Sequence, residues 1–371
     1  MKIIFLCGSL DVGRDGVGDY TRRLAAQLIR EGHSCEIISL NETNLAMSTL
    51  EKQFDDEISV SVLRLSSLQS WPNRINQAKD LINKFAPDWL SLQYVPYSFQ
   101  KKGLPFTIAK QLLDLQTNNA KWHIMFHEIW IGISKKSSVK HKIIGSLQRA
   151  IAQDITKTLK PLAINTSNVL YQSILRAAKI EAQIMPLFSN IPKSIFVVEV
   201  RDEILQRSSI DISDADQYIF IGIFGTFYPK AKINGVLSSI ITDEVYSGKK
   251  FIFLSFGRVG ESGVVQIESL KEVFKDKIKF VVLGEQSPQN ISTILQMLNI
   301  GISCTPVHHI GKSGVFSAMK LHELKVCMSG EEIIPEFSDD DYKYYEKFIE
   351  RPAYKWSVQY IANKFILFLG Q

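Results

Sequence analysis

Short apolar runs alternate with helix-patterned stretches along this chain, and the alternation stops once and then restarts. The first series is "KIIFLC", "SCEIISL", "SVSVLRL", "WLSLQY", "WHIMFH" and "PLAINT". Between these runs lie helical patterns such as "YTRRLAAQLIREGH", where Tyr20, Leu24 and Leu28 share one face at i, i+4 and i+8. Strands alternating with helices imply a parallel sheet covered on both faces. The break falls at "MPLFSNIPKS", where Pro186, Asn190 and Pro192 signal a linker. The second series is "YIFIGIFG", "KFIFLSFG", "IKFVVLGE" and "IGISCTP". A chain of 371 residues suits two cores of this kind better than one. The tail "YKWSVQYIANKFILFLG" reads as one amphipathic helix. Open parallel sheets bind ligands at the carboxyl ends of their strands, so the residues that close each run are the candidates for function.

Hydrophobic residues at 45% against charged residues at 22% indicate a globular chain rather than a disordered one. A net charge of +5 permits anionic partners without requiring nucleic acid, and no aromatic-basic platform is visible. Cys7, Cys35, Cys304 and Cys327 are widely spaced, with no metal-binding pattern, and read as buried free thiols. No apolar run reaches about 18 residues, and no signal-peptide pattern precedes the first strand. A reducing, cytoplasmic location is the expectation.

The most unusual stretch is "GSLDVGRDGVGDYTRRLAAQL", with Gly8, Gly13, Gly16 and Gly18 between the first strand and the first helix. It fails the dinucleotide fingerprint, because Gly16 opens Gly-Val-Gly-Asp-Tyr-Thr and lacks the third glycine. It also fails the Walker A pattern, because Arg14 and Asp15 stand where Lys and Ser or Thr belong. Glycines that only permit tight turns would account for the loop equally well. In "MFHEIW", His127 and Glu128 fall where a strand ends. A histidine there can bond a sugar hydroxyl or steady a leaving group, or it can be a half-buried structural residue. In "FGTFYPKAKING", a strand closes at Gly225, and Lys230 and Lys232 follow. Two ammonium groups beside a tight turn suit a diphosphate, whereas either lysine alone would read as solvated. In "CTPVHHIGKSGVFSAMKLHELKV", Ser313 is a good N-cap, Gly314 begins the helix, and Lys312 adds a full charge at its positive end. This is the strongest anion site in the sequence.

Together these pieces resemble the GT-B glycosyltransferases of the "group 1" or family-four type. The resemblance covers nearly the whole chain and rests on "DGVGDYTRRLAAQLIREGH", "FHE", "GTFYPKAK", "GKSGVFSAM" and the closing helix. It implies an α/β chain of two Rossmann-like doubly wound domains facing a central cleft. Residues 1–188 would form the acceptor side and residues 189–350 the nucleotide-sugar-binding domain. Residues 351–371 would form a helix crossing back to the first domain. It further implies that Gly16 and Gly18 approach the donor phosphate and sugar, and that His127 faces the donor sugar. Gly225, Lys230, Lys232, Lys312, Ser313 and Gly314 would hold the diphosphate. No metal and no cofactor are implied, since lysines and helix ends neutralise the leaving group. One departure is clear. The family commonly carries two glutamates eight positions apart around the late helix. Here the first position falls on Gly311, Lys312 or Ser313, the second falls near Ser317, and no carboxylate occurs between Gln286 and Glu323.

The expected reaction is glycosyl transfer from a nucleoside-diphosphate sugar to an acceptor hydroxyl on a glycan, a lipid-linked glycan or a small molecule. If configuration inverts, Asp19, Asp15 and Glu128 are candidates for the base; Asp19 equally suits a helix first turn. Two alternatives share the architecture: a nucleotide-sugar epimerase, and a binding module that has lost the glutamate pair and catalysis. The stretch "SKKSSVKHKIIGSLQR" carries Lys135, Lys136, Lys140, Lys142 and Arg149 without an acid. It reads either as a solvated basic surface or as a peripheral contact with anionic lipid at the inner face of a membrane. "SDDDYKYYEKF" reads as the exposed start of a helix.

Overall fold

The computed structural model describes residues 1–371 except 118–119, 135–136, 229–230, 331–338 and 371, and for 339–342 it describes the backbone alone. Lys135, Lys136 and Lys230 therefore lie outside the described residues. The chain divides into two compact units, one of residues Met1–Pro186 with Ile361–Gln371, the other of Leu187–Tyr360.

The first unit is built on eight strands: β1 (Lys2–Cys7), β2 (Ser34–Glu42), β3 (Thr49–Asp55), β4 (Ile58–Ser66), β5 (Trp89–Tyr94), β6 (Lys121–Phe126), β7 (Ala163–Thr166) and β8 (Gln183–Ile184). Their order is β3-β4-β2-β1-β5-β6-β7-β8. The central strand β1 runs parallel to both β2 and β5, and its Ile3 to Cys7 are fully buried, as the unbroken apolar run "KIIFLC" requires of a strand covered on both faces. Only β3 runs antiparallel, returning from the two-residue turn Asp56–Glu57 onto β4. The sequence pattern did not single out "TLEKQFD" because this edge strand alternates polar and exposed positions and contributes little to the core.

The second unit has a five-stranded parallel sheet of β9 (Tyr218–Phe224), β10 (Lys250–Phe256), β11 (Ile278–Gly284), β12 (Ile300–Ser303) and β13 (Lys325–Met328), in the order β11-β10-β9-β12-β13. Its core mixes aliphatic and aromatic side chains, with Ile221, Ile252, Leu254, Ile294, Leu295, Ile300, Ile302, Phe227 and Phe256 fully buried. The short edge strand β13 is the element here that periodicity did not reveal.

The tail is not the single helix its pattern suggests. A 3-10 turn at Ala353–Trp356 comes first, Ser357 is extended, and the helix Val358–Leu369 follows. The break has a packing cause. Trp356 is fully buried in the second unit, edge-on to Phe316 and Phe348 at 5.3 and 5.0 Å. Phe365 instead belongs to the first unit, where it stacks on Phe5 at 5.8 Å. The two rings thus serve different units, and the Ser357 hydroxyl accepts from the Tyr360 N–H at the new start. No helix among the described residues is long and apolar enough to cross a membrane.

Candidate functional site

In the first unit the connections leaving β1 and β5 run to opposite sides of the sheet, so these neighbouring strands mark its topological switch point. A depression of about 630 Å³ opens there, lined by Ser9, Asp11, Arg14 and Asp15 after β1, Asn41 near the end of β2 and Asn44 after it, and Tyr97, Ser98 and Lys101 after β5. The glycine loop is one wall of this depression.

The four glycines have different tasks. A Cβ on Gly8 would collide with Ser98, and one on Gly18 would sit 2.6 Å from the Ser9 carbonyl oxygen, so both allow backbone to pass close by. Gly13 has φ of +69°. A Cβ on Gly16 would meet nothing within 4 Å. Gly13 also faces open space but needs its left-handed backbone, so Gly16 is the one position of the four that neither close packing nor a positive φ explains. Gly18→Ala is expected to destabilise the protein by about 1–3 kcal/mol through overpacking. Gly16→Ala should leave the melting temperature almost unchanged and lower turnover in the glycosyl transfer that the sequence resemblance implies. Paired thermal unfolding and turnover measurements check this, and an equal loss of stability in both variants would refute the division of roles.

The start of the helix Gly16–Arg30 is already occupied by the protein's own carboxylates. Asp15 is the N-cap, and its Oδ1 accepts from the N–H groups of Val17 (2.9 Å) and Gly18 (2.7 Å). Burial is the main cause that lifts the Asp15 carboxyl above the usual carboxylate range, and those two backbone hydrogen bonds oppose the rise. Asp19 pairs with Arg22 at 2.5 Å and accepts from the Gly13 N–H at 3.1 Å. Both acids hold the loop in shape. A helix end neutralised in this way favours hydroxyls over phosphate.

A second set of residues, which sequence patterns did not reveal, fixes the loop from below. Glu42, fully buried at the end of β2, accepts from Ser9 Oγ (3.0 Å), Leu10 N (2.8 Å), Ser39 Oγ (2.6 Å) and the guanidinium of Arg64 (3.0 Å to both Nε and Nη2). Arg64 also reaches Asp11 at 2.5 Å and Glu51 at 3.5 Å. Its hydrogen bonds to Glu42 are the leading cause that raises the guanidinium above its ordinary range. The sequence signal is faint: one acid closing the run "SCEIISLNE" and one arginine inside "ISVSVLRLS".

His127 follows β6 and is buried, with Nε2 2.8 Å from Gln93 Oε1 and the ring edge-on to Tyr20 at 4.9 Å. Its backbone N–H donates to the Tyr94 carbonyl. Tyr20 lies in the glycine-loop helix, so the structure brings His127 and that helix together. Glu128, beside His127, is exposed.

In the second unit three candidate segments converge at the carboxyl end of the sheet. Gly225 closes β9 with φ of +80°, and a Cβ there would lie 3.4 Å from Val315 in the helix Gly314–Leu321. The Lys232 N–H, at the start of the helix Ile233–Ile241, donates to the Ser329 carbonyl after β13. Ser313 caps the Gly314–Leu321 helix by accepting from the Phe316 N–H at 3.2 Å, and its Oγ lies 2.8 Å from Thr305 Oγ1. A Cβ on Gly314 would meet nothing within 4 Å. This helix start is capped by a hydroxyl and flanked by Lys312, in contrast to the carboxylate cap of the first unit. Just upstream, burial, aided by the neighbouring His308 and Lys312 charges, depresses His309 to about 3, so its ring is neutral at physiological pH. Ser317, near the position of the second family glutamate, is fully buried, and its hydroxyl donates to the Ser313 carbonyl at 2.8 Å. It does not stand in for a ribose-binding carboxylate. Among the described residues no three His, Cys, Asp or Glu side chains gather as a metal site.

No family model matches the chain. Among curated proteins, 132 of its residues are 24% identical to laminin subunit alpha-3 of Homo sapiens; that stretch is 35% of this chain, and the chain spans 4% of that protein's length. Solved structures match across both units. An α-glucosyltransferase in complex with UDP and a 13-mer DNA is 9% identical, with 100% of each chain covered and a TM-score of 0.53. The UDP-GlcNAc 2-epimerase of Methanocaldococcus jannaschii is 10% identical, with 100% of this chain and 99% of that one covered and a TM-score of 0.52. A glycosyltransferase from Rickettsia africae ESF-5 is 16% identical, with 99% and 93% covered and a TM-score of 0.51. At these identities the shared property is the architecture, which transferases and epimerases both carry: this chain has the GT-B fold, two Rossmann-like α/β units in tandem.

Proposed function

We propose that the protein is a glycosyltransferase that moves a sugar from a nucleoside-diphosphate sugar to an acceptor hydroxyl without a metal ion. The observation that carries this reading is the helix start at Gly314: capped by Ser313, flanked by Lys312, adjoining Gly225, in a stretch of sequence with no carboxylate from Gln286 to His322. Such a site suits a diphosphate whose negative charge grows as the glycosidic bond breaks. Lys312 and Lys232, with Lys230 from outside the described residues, would meet that charge. The solved glucosyltransferase holds UDP, which supports a nucleotide donor here. On the first unit, Gly16 leaves room for the sugar and His127 would face it. Asp19 keeps the loop in place, so Glu128 is the better-exposed candidate for a base if the reaction inverts. The acceptor would enter the depression between the glycine loop and Tyr97, as a free glycan or small molecule or as a lipid-linked glycan. We place the enzyme in the cytoplasm.

Calorimetry with UDP, GDP, ADP and TDP, followed by turnover with the matching nucleotide sugars, tests the proposal. One nucleotide that binds, and a sugar that leaves it for an added acceptor, is the expected result. Binding to no member of the panel would remove the reading. The epimerase likeness gives the second reading a measurable form: conversion of the nucleotide sugar to its epimer with no acceptor present.

A further inference from the structure

The helix Val139–Leu159 buries Gln148, Ile151, Ala152, Ile155 and Leu159 against the first unit, and its other face carries an unusual pattern. Val139, Ile143 and Leu147 stand at i, i+4 and i+8, exposed by 74%, 58% and 39%. At 100° per residue they form one ridge along the first turns. Lys140 falls on one flank of that ridge, and Lys142 and Arg149 on the other, all exposed. No acid occurs between Glu128 and Asp154.

The preceding loop is locked onto this helix. A Cβ on Gly132 would collide with the His141 carbonyl, and one on Gly145 would collide with the Ile131 carbonyl oxygen. The Ile131 N–H donates to Gln148 Oε1 at 3.0 Å. Ile133, at the end of this loop, is 41% exposed. An exposed apolar ridge on a folded surface marks an interaction site, and the charge around it selects the partner. A second copy of this chain would set cations against cations. A bilayer with anionic headgroups complements both features: the apolar side chains enter the interface while the cations pair with the headgroups.

We infer that the Val139–Leu147 face of this helix docks the protein on an anionic lipid bilayer. The helix lies in the plane of the interface, its first three turns against the headgroups. This surface extends the proposed function, since a transferase held there meets lipid-linked acceptors, but it is tested without donor or acceptor. The full chain is sedimented with vesicles of phosphatidylcholine alone and of phosphatidylcholine mixed with phosphatidylglycerol, at low and high salt. Binding to the mixed vesicles, lost at high salt, is expected. Each lysine near such a surface contributes about fivefold in affinity, so Lys140→Gln/Lys142→Gln should bind about 30-fold more weakly. Val139→Ser/Ile143→Ser should also bind more weakly, and both variants should keep the wild-type melting temperature, which shows that they are folded. Failure of the wild type to bind mixed vesicles, or equal binding by wild type and variants, overturns the inference. So does a wild-type dimer in analytical ultracentrifugation that Ile143→Ser dissolves. Loss of vesicle binding with nucleotide binding intact, or the converse, keeps this inference and the transferase reading separate.

Discussion

Lys312→Ala is expected to weaken nucleoside-diphosphate binding by about 10- to 100-fold, the range for losing a hydrogen bond to a charged group. Lys312 precedes the hydroxyl-capped helix start, in a stretch with no carboxylate from Gln286 to His322. The loss should be larger in kcat/KM than in nucleotide affinity, because the diphosphate gains charge as it departs and the ammonium then interacts most strongly. Lys312→Arg should recover most of the affinity by keeping the charge. Calorimetric titration of the preferred nucleotide, with steady-state kinetics on its sugar, reads both effects. An unchanged Kd in Lys312→Ala would move the donor phosphates away from this helix.

The second large effect concerns stability. Glu42→Ala should cost about 3–5 kcal/mol, because removing one partner leaves the Arg64 guanidinium without its main counter-charge in a largely enclosed site. Arg64 would keep Asp11 and Glu51, both more exposed than Glu42, so compensation is incomplete. For a unit of this size the melting temperature should fall by on the order of 10 °C. Ser9 and Leu10 lose their acceptor at the same time, so the glycine loop should exchange its amide protons faster than the rest of the first unit. Differential scanning calorimetry and hydrogen exchange measure the two consequences. A shift of less than about 2 °C would mean that the network is not the support the geometry implies.

Much of this architecture is legible in the sequence because buried parallel strands need unbroken apolar runs. All ten runs singled out by pattern are strands in the structure. What escapes is what lacks that cause. β3 alternates because it sits at an edge, and β13 is four residues long with only partial burial. The tail keeps one periodicity through Ser357 although Trp356 and Phe365 serve different cores. The candidate site shows the same limit. The motif "GKSG" announces a helix start with a cation, since cap and charge are adjacent in sequence. The partnership of Glu42 with Arg64 joins residues on different strands, and no local pattern encodes it. Composition also cannot separate Gly16, which faces space, from Gly18, which faces a carbonyl oxygen. That distinction depends on where the backbone after β1 passes.

The division of the first unit into Met1–Pro186 and Ile361–Gln371 has a consequence for synthesis. Domains generally fold as they emerge from the ribosome, amino-terminal first. Here Phe5 and His123 are made early, yet the ring that covers them, Phe365, leaves the ribosome only after all of the second unit. The nascent first unit therefore waits with an uncovered apolar seam while residues Leu187–Tyr360 are translated. During that interval the growing polypeptide depends on the speed of elongation, and on whatever shields the seam, to avoid associating with its neighbours.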